Sequence, residues 1–338
     1  MTEDRTVDWP RFCEVIKSAN NILLTSHIRP DCDALGSCLG MAGVLRTLGK
    51  KVRIVCGQEV PPNLKFIDTN NEIMCIDVDV TSAELEDTDL HMILDTSAWK
   101  QLGNMSDTIK NSSYKKIIFD HHRGEDDIDA ELFKNTSAEA VGRMVVEAAE
   151  HLGVELTPEI STPLFAALST DTGWFRFPSA SDYTYEIAAK LIRGGASPAG
   201  IYGDLYERET VGRVRLRGTV LARVITELEG RLVHTYIKNV DYETTGALPT
   251  DTEDLINLAL EIDGTQFAVI MIEQPTGGFK MSFRSRCQTP ANEVAAHFDG
   301  GGHKAAAGAF LEGDFDEVQT QVLDYVRQQL NAEFSQTV

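Results

Sequence analysis

The sequence predicts an α/β protein: an N-terminal, mostly parallel α/β domain and a smaller C-terminal α/β domain, joined by a helical connector. Three observations carry this prediction. Short apolar runs alternate with helical patterns over roughly the first 190 residues, as in open parallel sheets whose crossovers are helices. From about Ser181 to Leu221 the pattern turns helical and charged, broken by the glycines of RGGASPAG. Beyond it, apolar runs with period-two stretches return. A chain of 338 residues has material for two buried cores, so the expected boundaries are residues 1–190, 191–222 and 223–338.

In chain order, a short amphipathic helix near Trp9 to Ser18 precedes the run Ile22, Leu23, Leu24, which ends in TSHIRPDCDA. Ala34 to Leu48 then shows helical apolar spacing closed by Gly49, a residue that suits the end of a helix. KVRIVCG at 51–57, LHMILDTS at 90–97 and KKIIFDHH at 115–122 are further short apolar runs, each bounded by turn or helix signals like buried parallel strands. Pro163 to Leu168 reads as an apolar helix ahead of Asp171. After the connector, RLVHTYIKNV, TQFAVIMIEQ and GFKMSFRSR read as strands, and Phe315 to Leu330 as a closing helix.

Composition narrows the function. Lys and Arg number 31 against 52 Asp and Glu, a net charge of −21, and such a surface repels polyanions at long range. Duplex DNA is therefore excluded as a partner, and a phosphate-bearing substrate needs local compensation from metal ions or converging Arg and Lys side chains. The six cysteines form no CxxC pair, which argues against a disulfide framework. MTEDRTVDWP lacks an apolar leader core, and no apolar run approaches the 18 or so residues that span a bilayer. The expectation is a soluble cytoplasmic protein with no membrane partner.

Potential metal ligands stand at the ends of three predicted strands. Ile22 to Leu24 runs into His27, Asp31 and Asp33, Met92 to Leu94 into Asp95, and Ile117 to Phe119 into Asp120, His121 and His122. Ligands bind at the carboxyl edge of open α/β sheets, so residues distant in sequence can meet there. Asp171, after the helix, is a further donor, and Gly173 gives the chain freedom to turn. A single Asp at a strand end is more often a turn or cap residue; it is the combination, each member at an element end, that points to a site. Aspartates and imidazoles without thiolates suit Mn²⁺, with Mg²⁺, Co²⁺ or Fe²⁺ as competitors, better than a structural Zn²⁺. The number of donors exceeds one ion's usual share and suits two metals bridged by a carboxylate. In the second domain Arg284 and Arg286, two apart on a predicted strand, face the same way. Backbone N–H groups at Gly300, Gly301 and Gly302, with His303 and Lys304, offer a cradle for a phosphate or a base; in isolation GGGH reads as a Gly-rich turn before a strand.

SHIRPDCDALGS, LDTS, FDHHR and STDTGWFRF, in this order, resemble the four motifs of the DHH phosphoesterase superfamily. MSFRSR and GGGHKAAAG resemble the signature of its C-terminal DHHA1 domain, so the resemblance covers nearly the whole chain. The compact two-domain length is most similar to the oligoribonucleases that also dephosphorylate 3′-phosphoadenosine 5′-phosphate. The resemblance implies two Mn²⁺ ions, replaceable by Mg²⁺ or Co²⁺. His27, Asp31 and Asp95 would hold one, and Asp33, Asp95, His121 and Asp171 the other, with Asp95 bridging. His122 would face the scissile phosphate and Asp120 would orient its neighbours. Arg284, Arg286, Gly301, Gly302 and His303 would bind substrate, namely short single-stranded oligonucleotides and nucleotides. Family members often pair as homodimers, although no pattern in this chain marks an interface. The main alternative is a cyclic or linear di-adenylate phosphodiesterase. Inorganic pyrophosphatase fits less well because the C-terminal segment is of the DHHA1 type, and a non-catalytic nucleotide sensor less well because every expected ligand is present.

Overall fold

The computed structural model describes residues 6–252 and 255–334. Residues 1–5, counted above in the first domain, and 253–254 and 335–338, counted in the second, lie outside the described residues. The chain divides into two compact units, one ending at Arg208 and the other starting at Glu209.

In the first unit, α1 (Trp9–Ser18) starts at Asp8, whose side chain accepts from the Arg11 N–H, with Pro10 in the first turn. This is the usual chemistry of a helix start. Then follow β1 (Asn21–Thr25), α2 (Cys32–Thr47), β2 (Lys51–Cys56), β3 (Ile73–Cys75), β4 (Leu90–Leu94), α3 (Met105–Asn111), β5 (Lys115–Asp120) and β6 (Glu131–Lys134). Four helices close the unit: α4 (Val141–Leu152), α5 (Pro158–Asp171), α6 (Asp182–Arg193) and α7 (Pro198–Tyr206). The six strands form one parallel sheet in the order β3-β2-β1-β4-β5-β6. Strand addition therefore changes direction between β1 and β4, which is where α/β sheets open a binding crevice at their carboxyl edge.

Both sheet faces are buried, which explains the continuous apolar runs. Leu24, Met92, Ile117 and Phe119 pack with residues of α1, α2, α4 and α5, while Leu23, Ile93 and Ile118 pack with Met105 and Ile109 of α3. Phe119 is fully buried, a burial worth roughly 1.5–3 kcal/mol.

Close helix packing brings the later elements to the same edge. A Cβ added at Gly36 would lie 2.3 Å from the Pro163 carbonyl oxygen and 3.1 Å from the Ala167 side chain, at Gly40 2.4 Å from the Leu164 side chain, and at Gly43 2.6 Å from Ile160. The order Ala167, Leu164, Ile160 against Gly36, Gly40, Gly43 shows that α2 and α5 run antiparallel with no room between them. The first turn of α2, with Asp33, thus lies beside the end of α5, where Asp171 stands. The helix read as starting at Pro163 in fact starts at Pro158, with Pro163 inside it. Pro158 takes the first-turn position that favours proline.

The second unit contains α8 (Val211–Ala222), β7 (Ile225–Glu227), β8 (Leu232–Ile237), α9 (Asn239–Thr245), α10 (Leu255–Ala259), β9 (Phe267–Glu273), β10 (Phe279–Ser285), α11 (Ala291–His297), β11 (Gly301–Gly302), β12 (Ala306–Leu311) and α12 (Phe315–Phe334). Its sheet has the order β11-β12-β10-β9-β8-β7 and is antiparallel except for the parallel pair β8 and β9. One face carries Val269, Met281 and Phe283 against residues of α11 and α12, the other Val233, Ala268 and Ile270 against residues of α8 and α10. Residues 191–222, read as the connector, hold the end of α6 and all of α7 and α8, and the division between units falls inside this stretch. Among the described residues no helix is long and apolar enough to cross a membrane.

Candidate active site

The carboxyl edge of the first sheet gathers six of the predicted donors. His27 Nε2 lies 3.3 Å from Asp95 Oδ2 and 3.9 Å from Asp31 Oδ2. His121 Nε2 lies 3.4 Å from Asp95 Oδ1 and 3.7 Å from Asp171 Oδ2. Three groups have donor atoms close enough to hold a cation: His27, Asp31 and Asp95; Asp33, His121 and Asp171; and Asp95, His121 and His122. Asp95 stands between the first two, with one oxygen toward each imidazole.

Local structure explains how each donor is aimed. Asp95 is buried and has a left-handed backbone, φ 60°, a costly conformation for a residue with a Cβ that turns the chain as it leaves β4. His27 and His121 each place Nδ1 3.0 Å from a carbonyl oxygen, of Ile28 and Ala138 respectively. The proton is thereby held on Nδ1 and Nε2 faces the carboxylates. Asp31 caps α2 through the Ala34 N–H and keeps its other oxygen toward His27. Asp33 accepts from Ser37 Oγ and from the N–H groups of Val141 and Gly142, at the start of α4. After Asp171, Gly173, Trp174 and Phe175 all have positive φ, so the chain reverses immediately beyond the donor.

The electrostatics are those of a site that attracts cations. Burial opposes charge on His27, but the carboxylates of Asp95 and Asp31 and the Ile28 carbonyl outweigh it and push its pKa up to about 9. Burial likewise opposes charge on His121, and Asp95 and Asp33 raise it to about 10. Burial and the neighbouring Asp95 carboxylate push Asp171 up to about 6. Burial, together with Asp95 and Asp171, holds Asp33 well above the ordinary carboxylate range. The Oδ1 atom of Asp95 is buried without a hydrogen-bond partner. Crowded carboxylates, imidazole nitrogens already aimed and an unsatisfied buried oxygen together fit divalent cations bound by O and N donors.

Asp120 and His122 form a second layer. Asp120 is fully buried and accepts through Oδ1 from the His122 N–H, at 3.1 Å, and Nδ1, at 2.8 Å. Burial works against its charge, but His122 and Ser97 pull its pKa down to about 2. The hydrogen bond to Asp120 raises that of His122, whose side chain remains 57% exposed and 3.6 Å from Asp95. Sequence reasoning passed over Ser97, which donates to Asp120 Oδ2, and Lys134, whose ammonium lies 3.2 Å from the same oxygen. Ser97 could have been found as the last residue of LDTS; Lys134 carries no motif.

The remaining predicted residues lie in the second unit. Arg284 is on β10 and donates to Asn257 Oδ1 and the Phe283 carbonyl. Arg286 lies one residue beyond the strand end, is exposed, and donates to the Leu260 carbonyl. Both therefore reach toward α10. Arg284 also lines a cavity of about 420 Å³ with Lys280, Ser282, Thr252, Ile270 and Ile272. Gly301 and Gly302 pair with Gly308 and Ala307 of β12, and His303, exposed, opens the turn between the strands by donating its N–H to Ala306. The N–H of Gly300 is not available to a ligand, because it donates to the Ala295 carbonyl at the end of α11. A Cβ at Gly300 would lie 2.2 Å from the Gly308 carbonyl oxygen, so this glycine serves close strand approach.

Comparison with known proteins identifies the family. Residues 21–168 match the DHH family, N-terminal domain, and residues 230–332 the DHHA1 domain. The bifunctional oligoribonuclease and PAP phosphatase NrnA of Thermus thermophilus is 30% identical, over 94% of this chain and 93% of its own. The protein of that name from Bacillus subtilis is 28% identical, over 86% and 90%. The crystal structure of an exopolyphosphatase-related protein from Bacteroides fragilis is similar with a TM-score of 0.79 at 25% identity, covering 96% of this chain and 95% of that one. The chain belongs to the DHH phosphoesterases that carry a DHHA1 domain. It is a hydrolase acting on phosphoester bonds.

Proposed function

We propose that the protein is a two-metal phosphoesterase that hydrolyses short oligoribonucleotides to mononucleotides and removes the 3′-phosphate of 3′-phosphoadenosine 5′-phosphate. The observation that carries the reading is the pair of donor groups, His27, Asp31, Asp95 and Asp33, His121, Asp171, with Asp95 between them. Mn²⁺ is the proposed native ion, as the donors are carboxylates and imidazoles without thiolates. Bound divalent ions supply a water that is nucleophilic near neutral pH and neutralise charge on the phosphoryl oxygens. The substrate named in the two NrnA relatives supports short RNA and the bisphosphate.

The chain's own groups do the rest. His122 is exposed, and Asp120 favours its charged form, so it can donate a hydrogen bond to a phosphate oxygen or a proton to the leaving oxygen. Asp120 fixes that ring through Nδ1 and leaves Nε2 for the substrate. In the second unit Arg284, Arg286, Gly301, Gly302 and His303 are assigned to substrate binding, the guanidiniums providing the positive charge that a surface of net charge −21 lacks.

The test is product analysis of the purified protein with Mn²⁺, offering two- to five-residue RNA, the bisphosphate, a cyclic di-adenylate, its linear form and pyrophosphate. Asp120→Ala and a chelated sample serve as controls. Mononucleotide release from short RNA and phosphate release from the bisphosphate, both abolished by chelation, are expected. Faster cleavage of the cyclic dinucleotide would overturn the substrate assignment, and full activity after chelation would overturn the metal assignment.

A further inference from the structure

We infer that Lys134 is a positioning residue for the hydrolysis, acting through Ser97 and Asp120 on His122. The inference rests on the reading above, in which His122 works at the substrate phosphate.

Lys134 ends β6, and the parallel register with β5 sets it directly opposite Asp120. Its side chain is 1% exposed, that of Asp120 0%. A lysine in such a place is poorly explained as packing, since an apolar residue fills a buried strand position without the cost of desolvating an ammonium. Its ammonium donates to Ser97 Oγ at 2.8 Å and to the Gly124 carbonyl at 3.0 Å, and forms an ion pair with Asp120 Oδ2 at 3.2 Å. Glu125 Oε2 stands further off, at 3.6 Å.

The carboxylate of Asp120 is divided by these contacts. Oδ2 takes the Ser97 hydroxyl and the Lys134 ammonium, and Oδ1 takes both the backbone N–H and Nδ1 of His122. With Oδ2 held on one side, the plane of the carboxylate is fixed and Oδ1 can lie only toward His122. Ser97 is locked in the same way, accepting from Lys134 and donating to Asp120. The chain of contacts spans the last residue of β6, the loop after β4, the end of β5 and the loop after it. It reaches the exposed imidazole from Lys134 by way of Ser97 and Asp120.

The experiment uses the full-length protein in four forms besides wild type: Lys134→Met, Lys134→Gln, Asp120→Asn, and Lys134→Met with Asp120→Asn. Lys134→Met is expected to lower kcat about 10- to 100-fold, as loss of a group that orients an active-site residue does, with bound metal and KM near wild type. In the Asp120→Asn background the same substitution should cost no further activity, because the two residues act in one chain. In the metal-free protein the Nδ1–H proton resonance of His122 should shift or broaden in Lys134→Met, a readout that mere support of the fold would leave in place. Wild-type kcat with an unmoved His122 resonance would overturn the inference, as would losses that add in the double variant. Should the Met variant melt below the assay temperature, Lys134→Gln, which keeps a donor for Ser97, is scored by the same readouts. If the wild-type protein cleaves no phosphoester, the functional reading fails, and the His122 resonance alone then decides whether Lys134 orients that ring.

Discussion

At Asp95 backbone and side chain are specialised together: a left-handed φ at the end of β4 and a carboxylate facing His27 with one oxygen and His121 with the other. Asp95→Asn keeps the shape and removes half the donor capacity and all of the charge, so both metal groups weaken at once. Metal content measured after gel filtration should fall, and kcat/KM by at least ~100-fold, the upper range for loss of a group that only orients a ligand. A variant with full metal and near-normal turnover would remove Asp95 from the centre of the site. His91 makes the opposite use of burial. It is fully buried, Nε2 lies 2.7 Å from Thr25 Oγ1, and Nδ1 has no partner. Burial, helped by Lys116, pulls its pKa down to about 3. The unfolded chain takes up this proton near the ordinary pKa of about 6.5, so the folded state is favoured above that pH and loses this stabilisation as pH falls toward about 3. Urea midpoints followed from pH 7 to pH 4 should drop, and His91→Val should flatten the part of the drop due to this ring. An unchanged profile would mean that the ring is protonated within the fold.

The packing of α2 on α5 is the element-scale device that builds the site, and it can be loosened by one methyl. In Gly36→Ala the new Cβ meets the Pro163 carbonyl oxygen and Ala167, neither of which can move without shifting a helix. Overpacking of this kind costs about 1–3 kcal/mol, and the shift separates Asp33 from Asp171. A lower denaturant midpoint is expected together with weaker metal binding; stability lost at unchanged metal affinity would show that the helices part away from the site. The sequence made much of this scale legible. Apolar runs buried on both faces announce a parallel sheet, and donors written at strand ends are carried by that sheet to one edge, so the gathering of His27, Asp95 and His121 could be anticipated. What stayed hidden depends on contacts without local pattern. The partners of Asp33 at the start of α4 lie 108 and 109 residues away. Lys134 ends a strand of only four residues, ELFK, whose two buried positions are adjacent rather than alternating. Period-two spacing placed Arg286 on the same strand as Arg284 because it says nothing about where a strand stops, and the Gly300 N–H was counted as free because GGGH does not reveal the turn of α11 that uses it.

Over the whole molecule, 52 acidic residues against 31 basic ones set the sign of every long-range encounter with a nucleic acid. The proposed substrates are themselves anions, and each added nucleotide adds a phosphate. At low salt the field of the protein extends roughly 30 Å and opposes approach; at 0.15 M it is screened within about 8 Å, leaving only the local attraction of bound metal and of groups such as Arg284 and Arg286. Raising ionic strength should therefore increase kcat/KM for a five-residue RNA and have a smaller effect on a dinucleotide, the reverse of the steep loss with salt shown by proteins that bind through a basic surface. A duplex DNA fragment should not be retained even at low salt. Initial rates for both RNA lengths across a salt series, at fixed free Mn²⁺, separate the cases. A rate that falls with salt, and falls faster for the longer RNA, would show that substrate meets a local basic surface before it feels the acidic whole.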